Sequence, residues 1–407
     1  MKVANNLTEE KPKLLIVSDR IAPFFIGGYE TTLQRLSNLL QTDFDVFWLT
    51  SFNQKPDVSF KEESNSMLLM EDKIHVIPIG NNLVFTNRVN VHSLRGVISY
   101  NLHVRKTHIS DLKFDFVIIN SIPYIGITRL LKRFLDNSKN VSVIFYEAWY
   151  NYPEGLSMFL FRIMLRASIK NIIRSSKFII AISKATKASL IDNYGVPENK
   201  IWLVPLGIDL ISHGVNKAYN NSDYEITILY LGRLSKIKRI PDIIDAVAVL
   251  KKKGRFVKAV IAGDGPLLKF LRKYARDKGV MDSIEFTGYL VNEEKDRIYK
   301  HSKIFIMPSE REGFSIATLE AMAYAVVPVV AEPKFKELFG IGQYLKDGYN
   351  GFTYPVGKLE QLVQVIERLI DNRTLFEMLS KNAQDTSSCY TWEKSANLLT
   401  EFIRGVL

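Results

Sequence analysis

Short apolar runs separated by polar, periodically amphipathic stretches recur along this chain. Lys13–Ser18, Asp45–Thr50, Ile74–Ile79, Phe116–Asn120, Val141–Tyr146 and Phe178–Ser183 are too short and too continuously apolar for surface helices. They read as strands buried on both faces, as in a parallel sheet. Between them, Thr31–Leu40 places Leu33, Leu36, Leu39 and Leu40 on one helical face. Gly126–Leu135, Leu156–Ser175 and Lys184–Tyr194 also read as helices, and residues 53–73 as a polar, irregular or hairpin excursion. The alternation restarts after residues 212–224, a polar mixed stretch that reads as a linker. Thr227–Gly232, Val257–Ala262, Lys303–Ser309 and Val326–Ala331 are the next apolar runs; Lys358–Ile370, Arg373–Thr386 and Trp392–Val406 read as helices. Repeated strand–helix alternation predicts open parallel α/β sheets. The 407 residues suffice for two domains with full cores.

Composition narrows the class only slightly. One cysteine, Cys389, excludes a disulfide framework and a cysteine-based metal site. Met1–Pro12 lacks an apolar signal core, and no window of 18 apolar, uncharged residues predicts a membrane span. A cytoplasmic protein is the expectation, with peripheral contact to the inner membrane face as an extension. The net charge is +11, and residues 101–200, with 15 Lys/Arg against 7 Asp/Glu, hold +8 of it. Such asymmetry points to an anionic partner. Without zinc-finger spacing or an RNA-binding aromatic signature, nucleic acid is not expected. Arg162, Arg166, Lys170 and Arg174 recur every four residues among large hydrophobes, the pattern of a helix lying on anionic lipid. The same pattern also fits an ordinary helix with solvated cations.

The most informative stretch is Glu310–Ala325, between the strands Lys303–Ser309 and Val326–Ala331. A turn at Gly313 leads into a short helix, roughly Ser315–Tyr324, for which Ser315 or Thr318 serves as cap. The amides of such a helix N-terminus favour an anion such as a diphosphate. Glu312 and Glu320 flank that spot, about 2.2 turns apart in helical terms. Carboxylates repel phosphate and accept hydrogen bonds from sugar hydroxyls, so an anion site between them suits a nucleotide-sugar. The plainer alternative is two solvated surface carboxylates.

"PSEREGFSIATLEAMAYAVVPVVA" resembles the E-x7-E signature of retaining GT-B glycosyltransferases, the large family that includes sucrose synthases and bacterial phosphatidylinositol mannosyltransferases. Ser315 and Ala325 stand where that family usually has glycine; both are small enough to keep a close backbone approach. "AISKATKASLIDNYGVPENKIWLVPLGID" and "GRLSKIKR" resemble the family as well, and the likeness spans residues 13–404. It implies two doubly wound, Rossmann-like α/β domains facing across a cleft: residues 1–211 for the acceptor, 225–389 for the donor, and a helix, 390–407, crossing back to the first. It implies donor contacts from Arg233, Lys238, Gly288, Leu290, Glu312, Gly313, Phe314, Ser315 and Glu320. The glycine loop holding Gly27 and Gly28, after the first strand, would face phosphate and acceptor. Similar enzymes place a histidine after the fifth strand, where this chain has Tyr146 or Glu147 according to register. Glu147 is the candidate general base or nucleophile in the first domain. Arg233 and Lys238 would stabilise the leaving diphosphate, with Glu312 orienting the sugar, so neither metal nor other cofactor is expected. Asp43-Phe44-Asp45 imitates a metal-binding Asp-x-Asp but precedes a strand, the wrong end for a site. The implied reaction is transfer of a hexose from a nucleotide diphosphate-sugar to a glycan or lipid-linked acceptor. The alternatives are a silent nucleotide-sugar-binding scaffold, an epimerase or a sugar phosphorylase on the same fold.

Overall fold

The computed structural model describes residues 10–18, 28–50, 60–62, 67–69, 74–78, 113–120, 141–145, 170, 173–174, 176–209, 226–290, 292–334 and 339–407. The chain divides into two compact units: Met1–Ala181 with Leu190–Val204 and Trp392–Leu407, and Ile182–Ser189 with Pro205–Thr391.

In the first unit the apolar runs become β1 (Lys13–Val17), β2 (Asp45–Thr50), β5 (Ile74–Pro78), β6 (Phe116–Asn120), β7 (Val141–Phe145) and β8 (Phe178–Ala181), joined by β9 (Ile201–Leu203). The polar excursion contains β3 (Phe60–Glu62) and β4 (Met67–Leu69), which pair antiparallel and continue antiparallel onto β5. The described strands order as β3-β4-β5-β2-β1-β6-β7-β8-β9. From β5 through β9 the pairing is parallel. β1 lies centrally, and Leu14, Leu15, Ile16 and Val17 are at most 1% exposed, which explains their unbroken apolar run.

The helices of the described residues are α1 (Gly28–Leu40), α2 (Lys184–Tyr194), α3 (Pro241–Lys252), α4 (Leu268–Asp277), α5 (Asn292–His301), α6 (Ile316–Ala323), α7 (Leu359–Asp371), α8 (Arg373–Ser387) and α9 (Trp392–Val406). On α1, Leu33, Leu36 and Leu40 are buried and Leu39 half-buried, as the periodicity requires. The helix starts three residues earlier than expected. Gly28 is therefore its first residue rather than part of a loop, a position whose amide has no partner within the helix. Asp43 lies just before β2 and takes Arg404 of α9 at 2.5 Å, so it serves a surface ion pair at the strand's amino end. Phe402 of α9 is buried, its ring 5.8 Å from Phe116, 5.3 Å from Phe178 and 4.9 Å from Trp202, which fastens α9 to the first sheet.

The second unit carries β10 (Ile226–Leu231), β11 (Val257–Ala262), β12 (Ile284–Gly288), β13 (Ile304–Met307), β14 (Val327–Glu332) and β15 (Phe352–Pro355). All pair in parallel in the order β12-β11-β10-β13-β14-β15. Numbered within the unit this is 3-2-1-4-5-6, the doubly wound arrangement, and the first unit repeats it from β5 to β8.

Ser315 (φ 62°), Ala325 (φ 56°) and Arg239 (φ 48°) are the non-glycine residues with left-handed backbone among those described. The first two bracket α6, at the positions where the resembled family usually has glycine. What glycine would supply there is conformation, not only space. Ala325→Gly relieves a strained backbone at some cost in unfolded-state entropy. It is expected to stabilise the protein by about 0.5–1 kcal/mol, read as a higher urea midpoint with unchanged slope. Ser315→Gly should be nearly neutral, because it also removes a helix cap.

Candidate functional site

Strand order in the second sheet reverses between β10 and β13, so a crevice opens at their carboxyl ends. Two loops enter it: Gly232–Lys238 from β10 and Pro308–Ser315 from β13. Lys238 forms an ion pair with Glu312 across the crevice, with side chains 22% and 12% exposed. The two loops are also joined through the backbone, the Glu310 amide donating to the Ile237 carbonyl at 3.0 Å. Arg239 adds a third tie. It donates to Asp242 through Nε (2.9 Å) and Nη2 (3.0 Å), and its Nη1 stands 3.6 Å from Glu310 Oε1. Arg233 is exposed, while its carbonyl accepts the Tyr230 hydroxyl at 3.0 Å. Burial, and then the nearby Glu312 carboxylate, push the Tyr230 hydroxyl well above its ordinary pKa, so it remains a donor.

The crevice floor has no room for side chains. A Cβ on Gly263 would lie 1.9 Å from the Gly232 carbonyl oxygen, and one on Gly265 would lie 2.4 Å from that of Leu234. The Gly263 amide donates to the Gly288 carbonyl at 2.7 Å, so this acceptor at the end of β12 is already engaged by backbone. Leu290 follows, half-buried, beyond the exposed Tyr289.

Ser315 caps α6, its hydroxyl accepting from the Thr318 amide at 3.4 Å; Thr318 is the capped residue rather than the cap. The remaining amides of the helix start carry the positive end of the helix dipole. The turn that presents them is set from behind by a segment the sequence did not single out. The Gly340 amide donates to the Glu312 carbonyl at 2.8 Å. The Tyr344 hydroxyl donates to the carbonyls of Phe314 (2.6 Å) and Ser315 (2.9 Å). Burial, then Glu312, raise the Tyr344 pKa far above its ordinary value, so these bonds persist at any working pH.

The Phe314 side chain does not line the crevice. Its ring is 2% exposed and packs against Tyr344 and Tyr390, so only its backbone faces the crevice. A large apolar side chain beside a polar site gains more from the core than from solvent contact.

Glu320 is on α6 and does not meet Lys238. Its Oε1 accepts Lys295 Nζ at 2.6 Å and its Oε2 the Tyr299 hydroxyl at 2.9 Å, both from α5. Sequence reasoning missed Lys295 and Tyr299; their spacing of four on one helix was the only available signal.

The structure thus brings Arg233, Lys238, Glu312, Gly313 and Ser315 to one crevice, with Glu320 on the helix that leaves it. Gly27, Tyr146, Glu147, Arg162 and Arg166 lie outside the described residues. Lys170 and Arg174 are described in the first unit and exposed.

Two Rossmann-like sheets in one chain, the second with a cation-bearing loop beside a helix N-terminus, define the GT-B class. Residues 26–211 match the family model described as Glycosyltransferase Family 4, and residues 215–386 match Glycosyl transferases group 1. The chain belongs to the family 4-like GT-B glycosyltransferases. One relative, the alpha-D-kanosaminyltransferase of Streptomyces kanamyceticus, is 31% identical over 156 residues, which is 38% of this chain and 39% of that protein. The chain thus spans well under two thirds of the length of this curated relative. Among solved structures, sucrose-phosphate synthase from Thermosynechococcus elongatus aligns with TM-score 0.76 at 16% identity, covering 97% of this chain and 99% of that one. HepE from Anabaena, solved in complex with UDP and glucose, aligns with TM-score 0.68 at 17% identity over 97% and 99% of the two chains. Both likenesses are of fold. No helix among the described residues is long and apolar enough to cross a membrane.

Proposed function

We propose that this protein transfers a sugar from a nucleoside diphosphate-sugar to an acceptor hydroxyl, with retention at the anomeric carbon and without a metal. The observation that carries the reading is the Lys238–Glu312 pair beside the α6 N-terminus. It sets cation, carboxylate and free amides side by side, as a diphosphate joined to a polyol requires. The ammonium of Lys238 has three donors and uses one on Glu312, leaving others for phosphate. The family membership and the UDP and glucose found in HepE support the same donor class.

As the bond from the anomeric carbon to the phosphate oxygen breaks, charge grows on the diphosphate. Lys238, Arg233 and the amides at Gly313–Ser315 stabilise it, the part a metal plays elsewhere. Glu312 orients the sugar hydroxyls and Glu320 the ribose. The acceptor oxygen bonds to the anomeric carbon on the face the phosphate leaves, and its proton passes to the departing phosphate oxygen. This course needs no protein base and suits the absence of a histidine around Tyr146–Glu147. Double displacement through Glu147 is the competing course; a trapped glycosyl-enzyme lost in Glu147→Gln would establish it instead. The positive charge of residues 101–200 favours a lipid-linked or phosphorylated acceptor at an anionic membrane surface. The protein should then float with anionic liposomes at low salt, and Arg166→Glu with Lys170→Glu should abolish flotation.

Nucleotide binding is the direct test. UDP, GDP, ADP and their sugar conjugates are screened by thermal shift. At 100 times its dissociation constant, the matching nucleotide should add about 2.7 kcal/mol of stability. Glu320→Ala and Arg233→Ala should lose most of that shift, and EDTA should leave turnover unchanged. A flat screen with every nucleotide would refute the donor reading.

A further inference from the structure

Glu320 is gripped at both carboxylate oxygens by one neighbouring helix. Lys295 of α5 holds Oε1 and Tyr299, one helical turn further on, holds Oε2. The Tyr299 hydroxyl also reaches the Ala317 carbonyl at 3.1 Å, so the same group marks the start of α6 and the carboxylate one turn later. Tyr299 is fully buried and stacks on Tyr324 at 5.2 Å, while the Tyr324 hydroxyl donates to Asp296 at 2.5 Å. Three residues of α5 thus engage α6 and the Tyr324 that ends it. Burial, then Glu320, raise the Tyr299 hydroxyl far above its ordinary pKa and keep it a donor.

An ionised carboxylate offers about four lone-pair sites. Two are taken, one on each oxygen, and the remaining two, also one on each, are left in a fixed plane. That is the pattern that matches a pair of neighbouring hydroxyls, one to each oxygen. An unrestrained glutamate, with three rotatable bonds, would lose conformational entropy on taking that pose.

We infer that Lys295 and Tyr299 are positioning residues that set Glu320 to read the vicinal 2′ and 3′ hydroxyls of a nucleoside diphosphate, so that the site discriminates ribose from deoxyribose. The inference rests on the donor reading above. Neither residue contacts the ligand; each acts through Glu320.

The test is calorimetric titration of UDP, GDP and ADP and of their 2′-deoxy and 3′-deoxy analogues. It is run on the full-length wild type, Tyr299→Phe, Lys295→Met, Lys295→Arg and Glu320→Ala. Tyr299→Phe removes one oxygen atom and Lys295→Met changes a side chain that is 30% exposed, so both variants should fold. The wild type should prefer the ribonucleotide by about tenfold or more, the range of one hydrogen bond to a charged group. Tyr299→Phe and Lys295→Met should bring that ratio down at least threefold, Lys295→Arg should restore it, and Glu320→Ala should bring it close to one. A ratio unchanged in both clamp variants overturns the inference and leaves the donor reading standing. So does a wild type that binds ribo- and deoxynucleotide alike. Absence of binding by all three ribonucleotides overturns the donor reading and the inference with it.

Discussion

Lys238→Ala is expected to lower kcat about 100- to 1000-fold, the usual effect of deleting one preorganised donor aimed at developing charge. The fall should be in kcat more than in KM, because the diphosphate carries more charge as it leaves than while bonded to the sugar. Lys238→Arg should recover part of the rate, since it keeps the cation but changes its shape and reach. The alanine variant also leaves Glu312, whose side chain is 12% exposed, without its counter-charge. A modest loss of stability should accompany the loss of rate, because removing one member of a sheltered pair strands the other. Glu312→Gln in the same background separates the effects: it should restore stability while leaving turnover low. Equal turnover of wild type and Lys238→Ala on a donor that binds both would remove Lys238 from the chemistry.

Gly340→Ala is expected to destabilise the protein by about 3 kcal/mol, at the upper end of the cost of overpacking. The added Cβ would stand 1.8 Å from the Gly313 carbonyl oxygen and 3.0 Å from that of Glu312. Both are backbone atoms of the turn that presents the α6 amides, so neither can swing aside as a flexible side chain would. Either the hydrogen bond from the Gly340 amide to Glu312 breaks or the turn shifts, and either change moves Glu312 and the anion site together. The variant should therefore lose nucleotide affinity as well as stability. Gly348→Ala is the control. Its φ is +70° and a Cβ there meets nothing within 4 Å, so it should cost about 1 kcal/mol in backbone strain without affecting nucleotide binding. Urea unfolding and calorimetry on the two variants, side by side, test the pair. Equal stability and equal affinity would mean that the turn does not depend on Gly340.

Much of this was legible before any fold was known. The stretch from Glu310 to Ala325 was marked by a turn glycine, two carboxylates and a helix signal; Glu312 and Gly313 fall in the loop between β13 and α6, and Glu320 on α6 itself. Arg233 and Lys238 were marked by the likeness of "GRLSKIKR" to the family, after a buried strand. Where the Phe314 side chain goes was not legible, because the motif says which residues neighbour the site, not which way each side chain points. The clamp on Glu320 was unreadable because Lys295 is 25 residues upstream, on a helix whose polar face looks like any solvated one. Gly340 was passed over because a glycine's sequence neighbours do not reveal which backbone presses against it.

The sequence alone determined the elements: β1, β2, β6, β11 and the helices α2 and α7–α9 follow from apolar runs and periods that are properties of contiguous residues. It also marked the start of α6 by Ser315 and Thr318, three apart, while the structure decided that Ser315 is the cap. Only the tertiary structure decided which loops share a crevice. That depends on β13 pairing beside β10, although 72 residues separate the ends of these strands. It also decided that Lys238 meets Glu312 and Lys295 meets Glu320, partners 74 and 25 residues apart. The physical reason is one of range. Helix and strand preferences act within a turn or a pleat, whereas strand order is chosen by burying the whole apolar surface of the sheet at once, and the charged side chains at its carboxyl edge are brought together by that choice.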